Sequence, residues 1–309
     1  MSAGSEQGLR AITSERRQLT NLAYRLLGTL SDAEDVVQET YARWYAMSAQ
    51  QQAEIASPGA WLTTVAGRVC LDLLGSARVR RESYVGEWVP EPLPDRAEWA
   101  DRRSGTADPA EEVTLDESVT MAFLVVLDAM TPAERVAFVL HDVFRYPFAE
   151  VAEIVGRSPA ACRQLASSAR RRVRAERAPA TPPARRAAVV REFKAAWQSK
   201  DIGALVDLLA PDATAIGDGG GRATAAARPV EGAEQVARYW VDLAAQADER
   251  AALLERSVNG QPGLAVLYDG VVVAVLAFEV AGEKITRIWA VRNPAKLRAW
   301  TVGPRYPSS

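Results

Sequence analysis

In residues 215–225, AIGDGGGRATA, three glycines stand in a row between Asp218 and Arg222. Glycine runs mark places where a β-carbon is not tolerated, at a turn of positive φ or at a close backbone approach. A phosphate-cradling loop is the first chemistry such a run suggests. The P-loop template needs G-x-x-x-x-G-K-[ST] between a strand and a helix. Here Arg222 follows the glycines directly and ATAAARPVEG comes next, so that template fails. The dinucleotide fingerprint fails too, because its glycines are spaced and these are contiguous. The run reads as a contact loop, with Gly219, Gly220 and Gly221 allowing close approach and Asp218 and Arg222 as polar anchors.

Groups for acid–base or metal chemistry are scarce. The chain has one histidine, His141, and two cysteines, Cys70 and Cys162, which lie far apart inside apolar-periodic segments. A disulfide framework or zinc site is not expected, and a reducing compartment is. Residues 185–309 hold neither histidine nor cysteine. Asp212, Asp218, Tyr239, Asp242 and Tyr268 offer carboxylates and phenols, but no spacing singles out a catalytic pair. The expectation is therefore no enzyme, no cofactor and no metal.

A second chemical signal is stronger. Between Gly156 and Arg177 there are seven arginines and one glutamate, although the whole chain has a net charge of −2. The arginines sit on recognisable helical grammar. FAEVAEIV buries Phe148, Val151, Ala152 and Val155 at helical spacing, and Gly156 suits a left-handed C-terminus. Ser158 is a good N-cap and Pro159 a good first residue for AACRQLASSARRRVR. Two short helices joined by a turn containing glycine are the helix-turn-helix pattern. The second helix exposes Arg163, Gln164, Ser167, Arg170 and Arg171, and arginines there can contact guanine edges or phosphates. Cap, turn and arginine bias together favour DNA binding over a generic helical hairpin.

These residues need elements to position them. At 309 residues, 48% apolar and 25% charged, the chain is an ordinary globular composition long enough for roughly two domains. MSAGSEQGLRAITSERR has no apolar signal core, and no run of about 18 apolar residues occurs, so a cytoplasmic protein without a membrane partner is expected. The first region is helical. Leu22, Leu26 and Leu27 begin a stripe, and Ser31 with Glu34 suggests a capping box opening DAEDVVQETYARWY. In that helix Val36, Val37, Thr40, Tyr41 and Trp44 share one face. AWLTTVAGRVCLDLLGSARVRR, with Leu62, Val65, Val69 and Leu73 inward, ends in Arg78, Arg80 and Arg81. WVPEPLPDRAEWADRRSGTADPAEE reads as a linker, with Trp88 and Leu93 as local anchors. Helix resumes at Leu115, and Thr131, Pro132 and Glu134 open one helix as T-P-x-E. After RAPATPPARR the texture becomes α+β: helices, then LAVLYDG, VVVAVLAFEVAG and KITRIWAVRNP, with a turn at Asp269–Gly270. This predicts a cone-shaped domain with a curved antiparallel sheet around a pocket.

The acidic face of DAEDVVQE is by itself an ordinary solvated helix face. In order with the two segments that follow, it carries a resemblance. DAEDVVQETYARWY, AWLTTVAGRVCLDLLGSARVRR and MTPAERVAFVLHDVFRYPFAEVAEIVGRSPAACRQLASSARRRV closely resemble regions 2 and 4 of bacterial extracytoplasmic-function sigma factors of RNA polymerase. WVPEPL, DGGGR and NPAKL resemble three signatures of the SigJ-like subgroup, which carries a fused SnoaL-like domain of the NTF2 fold. Arg222 stands where that subgroup usually has lysine, and Val89 where it has leucine; arginine and lysine hydrogen-bond differently.

The resemblance implies a multidomain chain: two all-α sigma modules plus an α+β NTF2-like cone. Residues 9–86 are then the region 2 module, 87–114 a linker, 115–177 the region 4 helix-turn-helix module, 178–186 a second linker and 187–309 the SnoaL-like domain. It implies core RNA polymerase and promoter DNA as partners. Asp32, Glu34, Asp35, Gln38 and Glu39 would face the β′ clamp helices. Arg68, Asp72, Arg78, Arg80 and Arg81 would handle the −10 element, and Ser158, Ala160, Arg163, Gln164, Ser167 and Arg171 the −35 element. Regulatory contacts are expected at Trp88, Pro90, Glu91, Pro92, Asp218, Gly219, Gly220, Gly221, Arg222, Asn293, Pro294 and Lys296. They would let the last domain act in cis, with no separate anti-sigma factor required. Whether a small-molecule ligand enters its pocket is open in the sequence. A helix-turn-helix regulator independent of polymerase and an NTF2-like enzyme with a DNA-binding appendage are the competing readings.

Overall fold

The computed structural model of the protein describes residues 3–82, 84–95, 119–176 and 178–301, without the side chains of 3–14, 77–82 and 301. These fall into two compact units, one holding 3–82 and 123–176, the other 84–95, 119–122 and 178–301.

The first unit is helical: α1 (Ala3–Leu27), α2 (Leu30–Tyr45), α3 (Ala49–Ala53) and α4 (Pro58–Glu82). α5 (Met121–Asp128) leads into α6 (Pro132–Phe138), a π-helical turn (Val139–Val143), α7 (Phe148–Val155) and α8 (Pro159–Ala175). Leu19, Leu22 and Leu26 of α1, Val36 and Val37 of α2, and Leu62, Val65 and Val69 of α4 are buried, as the apolar spacing predicts. In α4 it is Leu74, not Leu73, that is fully buried.

The start of α2 differs from the expected capping box. Gly28, at φ 81°, ends the preceding helix and leaves Thr29 extended. Thr29 is thus the N-cap: its hydroxyl accepts from the Asp32 amide at 3.3 Å and donates to the Asp32 carboxylate at 2.6 Å. The helix begins two residues earlier than a Ser31 cap requires. The T-P-x-E start behaves as predicted, with a reciprocal Thr131–Glu134 capping box. Gly156 is left-handed at φ 68°, and Ser158 caps α8 by accepting from the Ala161 amide at 3.2 Å. Arg170, expected on the exposed face, is only half exposed and pairs with Asp142 at 3.2 Å.

The second unit holds α9 (Pro183–Gln198), α10 (Ile202–Leu208), β1 (Leu209–Asp218), β2 (Val230–Glu231) and α11 (Ala233–Ala245). The strands β3 (Ala251–Val258), β4 (Gln261–Tyr268), β5 (Val271–Ala281) and β6 (Lys284–Val291) follow, then a 3₁₀ turn (Pro294–Lys296) and α12 (Arg298–Thr301). The sheet order is β2-β1-β6-β5-β4-β3. It is mixed rather than wholly antiparallel, because β1 runs parallel to β6. β3–β6 form a meander whose tight turns fix their directions; β1 arrives from α10 on the free edge of β6 and is under no such constraint. The Asp269–Gly270 turn is present, and a second, Asn259–Gly260, has the same pair of positive φ angles. β1 and β3 were not anticipated: Leu205, Leu208 and Leu209 stand at helical spacing, yet Leu209 starts β1.

Register slips between Val266 and Leu267 and between Glu279 and Val280 add curvature. The helices pack on one face around Phe193, Trp197, Trp240 and Phe278. Trp197 and Trp240 meet edge to face at 4.9 Å, and the Trp197 indole donates to the Trp240 carbonyl at 2.7 Å. Side chains alternate along a strand, so Trp289, between Ile288 and Ala290 of that core, lies on the other face, where it is also buried.

Candidate functional site

Within the second unit, the residues flagged around the glycine run converge on one carboxylate. Asp218 ends β1 with no solvent exposure. Its Oδ1 accepts from the Tyr84 hydroxyl at 2.6 Å. Its Oδ2 accepts from the Val89 amide at 3.0 Å and from the Lys296 ammonium at 2.6 Å. The Asp218 carbonyl accepts from the amides of Arg292 and Asn293 at 2.7 and 3.0 Å. One residue thus ties together the start of WVPEPL, the loop after β1 and the segment NPAKL.

Lys296 is as buried as its partner requires, at 5% exposure. Its ammonium also donates to the Val89 carbonyl and lies 4.2 Å from the Trp88 ring centre and 5.3 Å from that of Tyr84. Carboxylate, carbonyl and two aromatic faces together replace its lost hydration. The 3₁₀ turn that aims it is capped by Asn293, whose Oδ1 accepts from the Ala295 amide at 3.0 Å, with exposed Pro294 at its first position. Asn293 Nδ2 donates to the Tyr84 oxygen at 2.8 Å. Burial, then the bond to Asp218, pushes the Tyr84 phenol well above the ordinary range, so it stays a donor.

All three glycines stand where a β-carbon would be crowded. A β-carbon on Gly219 would sit 2.0 Å from the Ala223 carbonyl oxygen. On Gly220, at φ 58°, it would sit 2.3 Å from Asn293 Nδ2, and on Gly221, at φ 69°, 3.1 Å from Val85 Cβ. Gly219 thus closes on its own loop, Gly220 approaches Asn293 and Tyr84, and Gly221 approaches Val85 just ahead of the linker. Arg222 is not joined to Asp218: its side chain is exposed while its amide closes the turn onto Gly219.

The rest of WVPEPL is held as firmly. Val89, Pro90, Glu91, Pro92 and Leu93 are buried. Leu93 exchanges two bonds with Asn259, its amide donating to Asn259 Oδ1 at 3.1 Å and its carbonyl accepting from the Asn259 amide at 2.8 Å. The Trp300 indole donates to the Pro92 carbonyl at 2.8 Å. Tyr84, Asn259 and Trp300 went unnoticed in the sequence. Only the Asn-Gly pair at 259–260, a hairpin signal, could have pointed to Asn259.

In the first unit, Glu34, Asp35, Gln38 and Glu39 are exposed along α2, whereas Asp32 is half-buried in the cap. Ser158, Ala160, Arg163, Gln164, Ser167 and Arg171 are exposed on one end and side of α8. Arg163 lies over the Phe148 ring at 5.5 Å. Asp72 is exposed, and Arg68 donates to the Glu153 carbonyl at 3.1 Å. The side chains of Arg78, Arg80 and Arg81 lie outside the described residues. Cys70 and Cys162 are both buried, and burial pushes both thiols up, away from the reactive thiolate. Among the described residues no cluster of metal-ligating side chains occurs, and no helix is long and apolar enough to cross a membrane.

Three family models match: Sigma-70 region 2 over residues 11–80, Sigma-70 region 4 over 120–173 and the SnoaL-like domain over 190–288. The ECF RNA polymerase sigma factor SigJ of Mycobacterium tuberculosis is 40% identical, over 91% of this chain and 90% of the relative. The crystal structure of M. tuberculosis SigJ matches at a TM-score of 0.72 and 36% identity, covering 94% of this chain and 98% of that one. The sigma factor RpoE of Bartonella quintana, solved in complex with the anti-sigma factor NepR, matches at 0.36 and 22% identity over 57% of this chain and 97% of that one. So low a score carries nothing further to this chain, and the expectation that no separate anti-sigma factor is required stays without support.

Proposed function

The chain belongs to the extracytoplasmic-function RNA polymerase sigma factors, and on that premise we propose that its carboxy-terminal domain tunes promoter engagement in cis by gripping the segment between the two helical modules. As a sigma factor it works with core RNA polymerase and promoter DNA. On this reading Glu34, Asp35, Gln38 and Glu39 of α2 dock on the polymerase clamp. Arg68, Asp72, Arg78, Arg80 and Arg81 serve the −10 element, and the exposed face of α8 reads the −35 element.

The observation that carries the cis reading is the coordination of Asp218. Two of its donors come from the chain that follows α4, Tyr84 just ahead of the linker and Val89 within it, and one, Lys296, from the tail. Pinning Tyr84–Leu93 withdraws about ten residues, about 33 Å of extended chain, from the tether between the modules. A tether shortened this way favours some separations of the modules over others. By linkage, whatever favours the separated, promoter-engaged modules also favours release of the grip.

The test is in vitro transcription with core polymerase on a genomic fragment library. Full-length protein is compared with a deletion of residues 185–309 and with Asp218→Asn. Both changes are expected to alter transcription rate and promoter choice; rates and choices unchanged in both would refute the cis role.

A further inference from the structure

Arg222 stands four residues from Asp218, yet its side chain takes no part in the buried network. It is exposed, and among the described residues it makes no hydrogen bond or ion pair. Arg228, further along the same loop, is exposed and unpaired in the same way. Neither Glu87, just beyond Val85, nor Glu231, on β2, is bonded to either of them. A single solvated arginine is ordinary on a protein surface. Three features set this pair apart.

The first is what surrounds the two charges. Residues 219–228 read GGGRATAAAR, with no acidic side chain and no apolar side chain larger than alanine. Nothing there keeps a bulky polyanion from the backbone, and nothing supplies the aromatic or long aliphatic anchor around which protein interfaces are built. The second is that the loop is fixed. The amides of Arg222 and Ala223 both donate to the Gly219 carbonyl at 3.0 Å. The guanidinium of half-buried Arg292 donates to the Thr224 carbonyl, which adds a third cation beneath the loop. A β-carbon on Gly217 of β1 would lie 3.1 Å from Ala225 Cβ, so the loop folds back onto its own strand.

The third feature is position along the chain. Gly221 lies against Val85, and Val85 follows Arg81 by four residues, about 14 Å at full extension. Arg78, Arg80 and Arg81 are the arginines assigned to the −10 element. The basic run at the end of α4 therefore continues onto the Arg222 loop, and 14 Å spans about four base pairs of duplex. Val85 also lies on the connection from the −10 module to the −35 module, so the DNA nearest the loop is the duplex between the two elements. That duplex carries no element to be read, and what it offers is its phosphates.

We propose that the loop Gly219–Arg228 is a further DNA-contacting surface, on which Arg222 and Arg228 neutralise phosphates of the spacer duplex beside the −10 element. The contact rests on the grip, which holds the loop against Val85, and on the promoter role of the α4 arginines. It gives the closed grip an affinity of its own for DNA. The same closure that shortens the tether then adds binding energy next to the −10 element.

The test uses holoenzyme containing the full chain and a duplex bearing both elements of the fragment most strongly transcribed from the genomic library. Binding is followed by anisotropy across a range of salt concentrations. Each phosphate contact contributes about 0.9 to the slope of log affinity against log salt, so Arg222→Gln/Arg228→Gln should flatten that slope by about 1.8. The advantage of the unsubstituted chain should then grow about twelvefold between about 200 and about 50 mM salt. Arg222→Lys/Arg228→Lys should keep the slope, because a phosphate can be met by a point charge. Neutral methylphosphonate linkages over the spacer base pairs adjoining the −10 element should flatten the slope for the unsubstituted chain and leave the glutamine variant unaffected.

An unchanged slope in the glutamine variant overturns the contact. So does a variant that keeps the slope but binds core polymerase more weakly in the absence of DNA, which would assign the loop to a protein surface. Asp218→Asn separates this inference from the grip. A slope flattened as much as in the glutamine variant supports a contact made by the closed grip. A slope flattened by the glutamine changes but not by Asp218→Asn overturns the dependence on the grip and leaves the DNA contact standing. Transcription altered by Asp218→Asn, with the slope of the glutamine variant unchanged, overturns the contact and leaves the grip standing.

Discussion

Replacing Asp218 by asparagine keeps the shape of the side chain and removes the charge that faces Lys296. The pair is 2.6 Å apart with side-chain exposures of 6% for Lys296 and 0% for Asp218. Coulomb attraction at that distance is about 6 kcal/mol at an effective dielectric constant of about 20. Desolvation of both ions offsets much of this, so the net worth of the pair is small. Removing one partner is different, because it strands the other charge in the same dry site, at a cost of about 3–5 kcal/mol. The Val89 amide, bonded to the same carboxylate, reports the loss directly. If the grip opens as a unit, exchange of the Val89 amide hydrogen should accelerate by about two to three and a half powers of ten, at about 1.4 kcal/mol for each. The assay is hydrogen exchange with mass spectrometry on the peptide spanning Val85 to Leu93. Lys296→Met should behave similarly, and combining it with Asp218→Asn should recover much of the protection, because no charge is then left unpaired. Exchange in Asp218→Asn within threefold of the unsubstituted chain, or a double variant no slower than either single one, would refute the reasoning.

Four further outcomes follow from particular contacts. Gly220→Ala places a β-carbon 2.3 Å from Asn293 Nδ2 at a positive φ, so it should loosen the same peptide as Asp218→Asn does while leaving the exchange of α8 unchanged. The neutral Tyr84 phenol is favoured because its folded-state pKa is raised by burial and by Asp218. Its contribution is complete below about pH 10, the ordinary tyrosine value, and is lost as the pH rises through the raised one. Ultraviolet titration should therefore show Tyr84→Phe deleting a late-ionising phenol, alongside Tyr41, which burial pushes up to about 12. Thr131→Ala removes the N-cap of α6 and half of its capping box, which should lower stability by about 1 kcal/mol in denaturant unfolding. Arg163→Ala should weaken holoenzyme binding to −35 duplex by about 1–3 kcal/mol in a filter or anisotropy assay, without lowering affinity for core polymerase.

Local grammar made much of this molecule legible. Thr131, Gly156, Ser158 and Pro159 act on backbone groups within four residues of themselves, so their cap and turn roles follow from spacing alone. The order of the helical segments and the three short signatures identified the family for the same reason. Where two local solutions competed, the sequence was ambiguous: Thr29 took the cap from Ser31 because Gly28 closed α1 early. β1 was hidden because Leu208 and Leu209 continue a helical stripe, and its parallel pairing with β6 depends on a strand some seventy residues away.

The site divides in the same way. The three glycines announced a close approach, because only a missing β-carbon permits one. What they approach could not be read, since Tyr84 and Asn293 are separated from them by long stretches of chain and meet them only when the sheet forms. Nor could the charges of Asp218 and Arg222 be told apart: one is buried in an ion pair and the other exposed, a difference of desolvation that composition does not carry. The sequence by itself determined which residues could cap, turn and approach closely. The tertiary structure alone decided that Asp218 would bind Tyr84, Val89 and Lys296 together, because partners for a buried charge are set by what folding brings within about 3 Å of it.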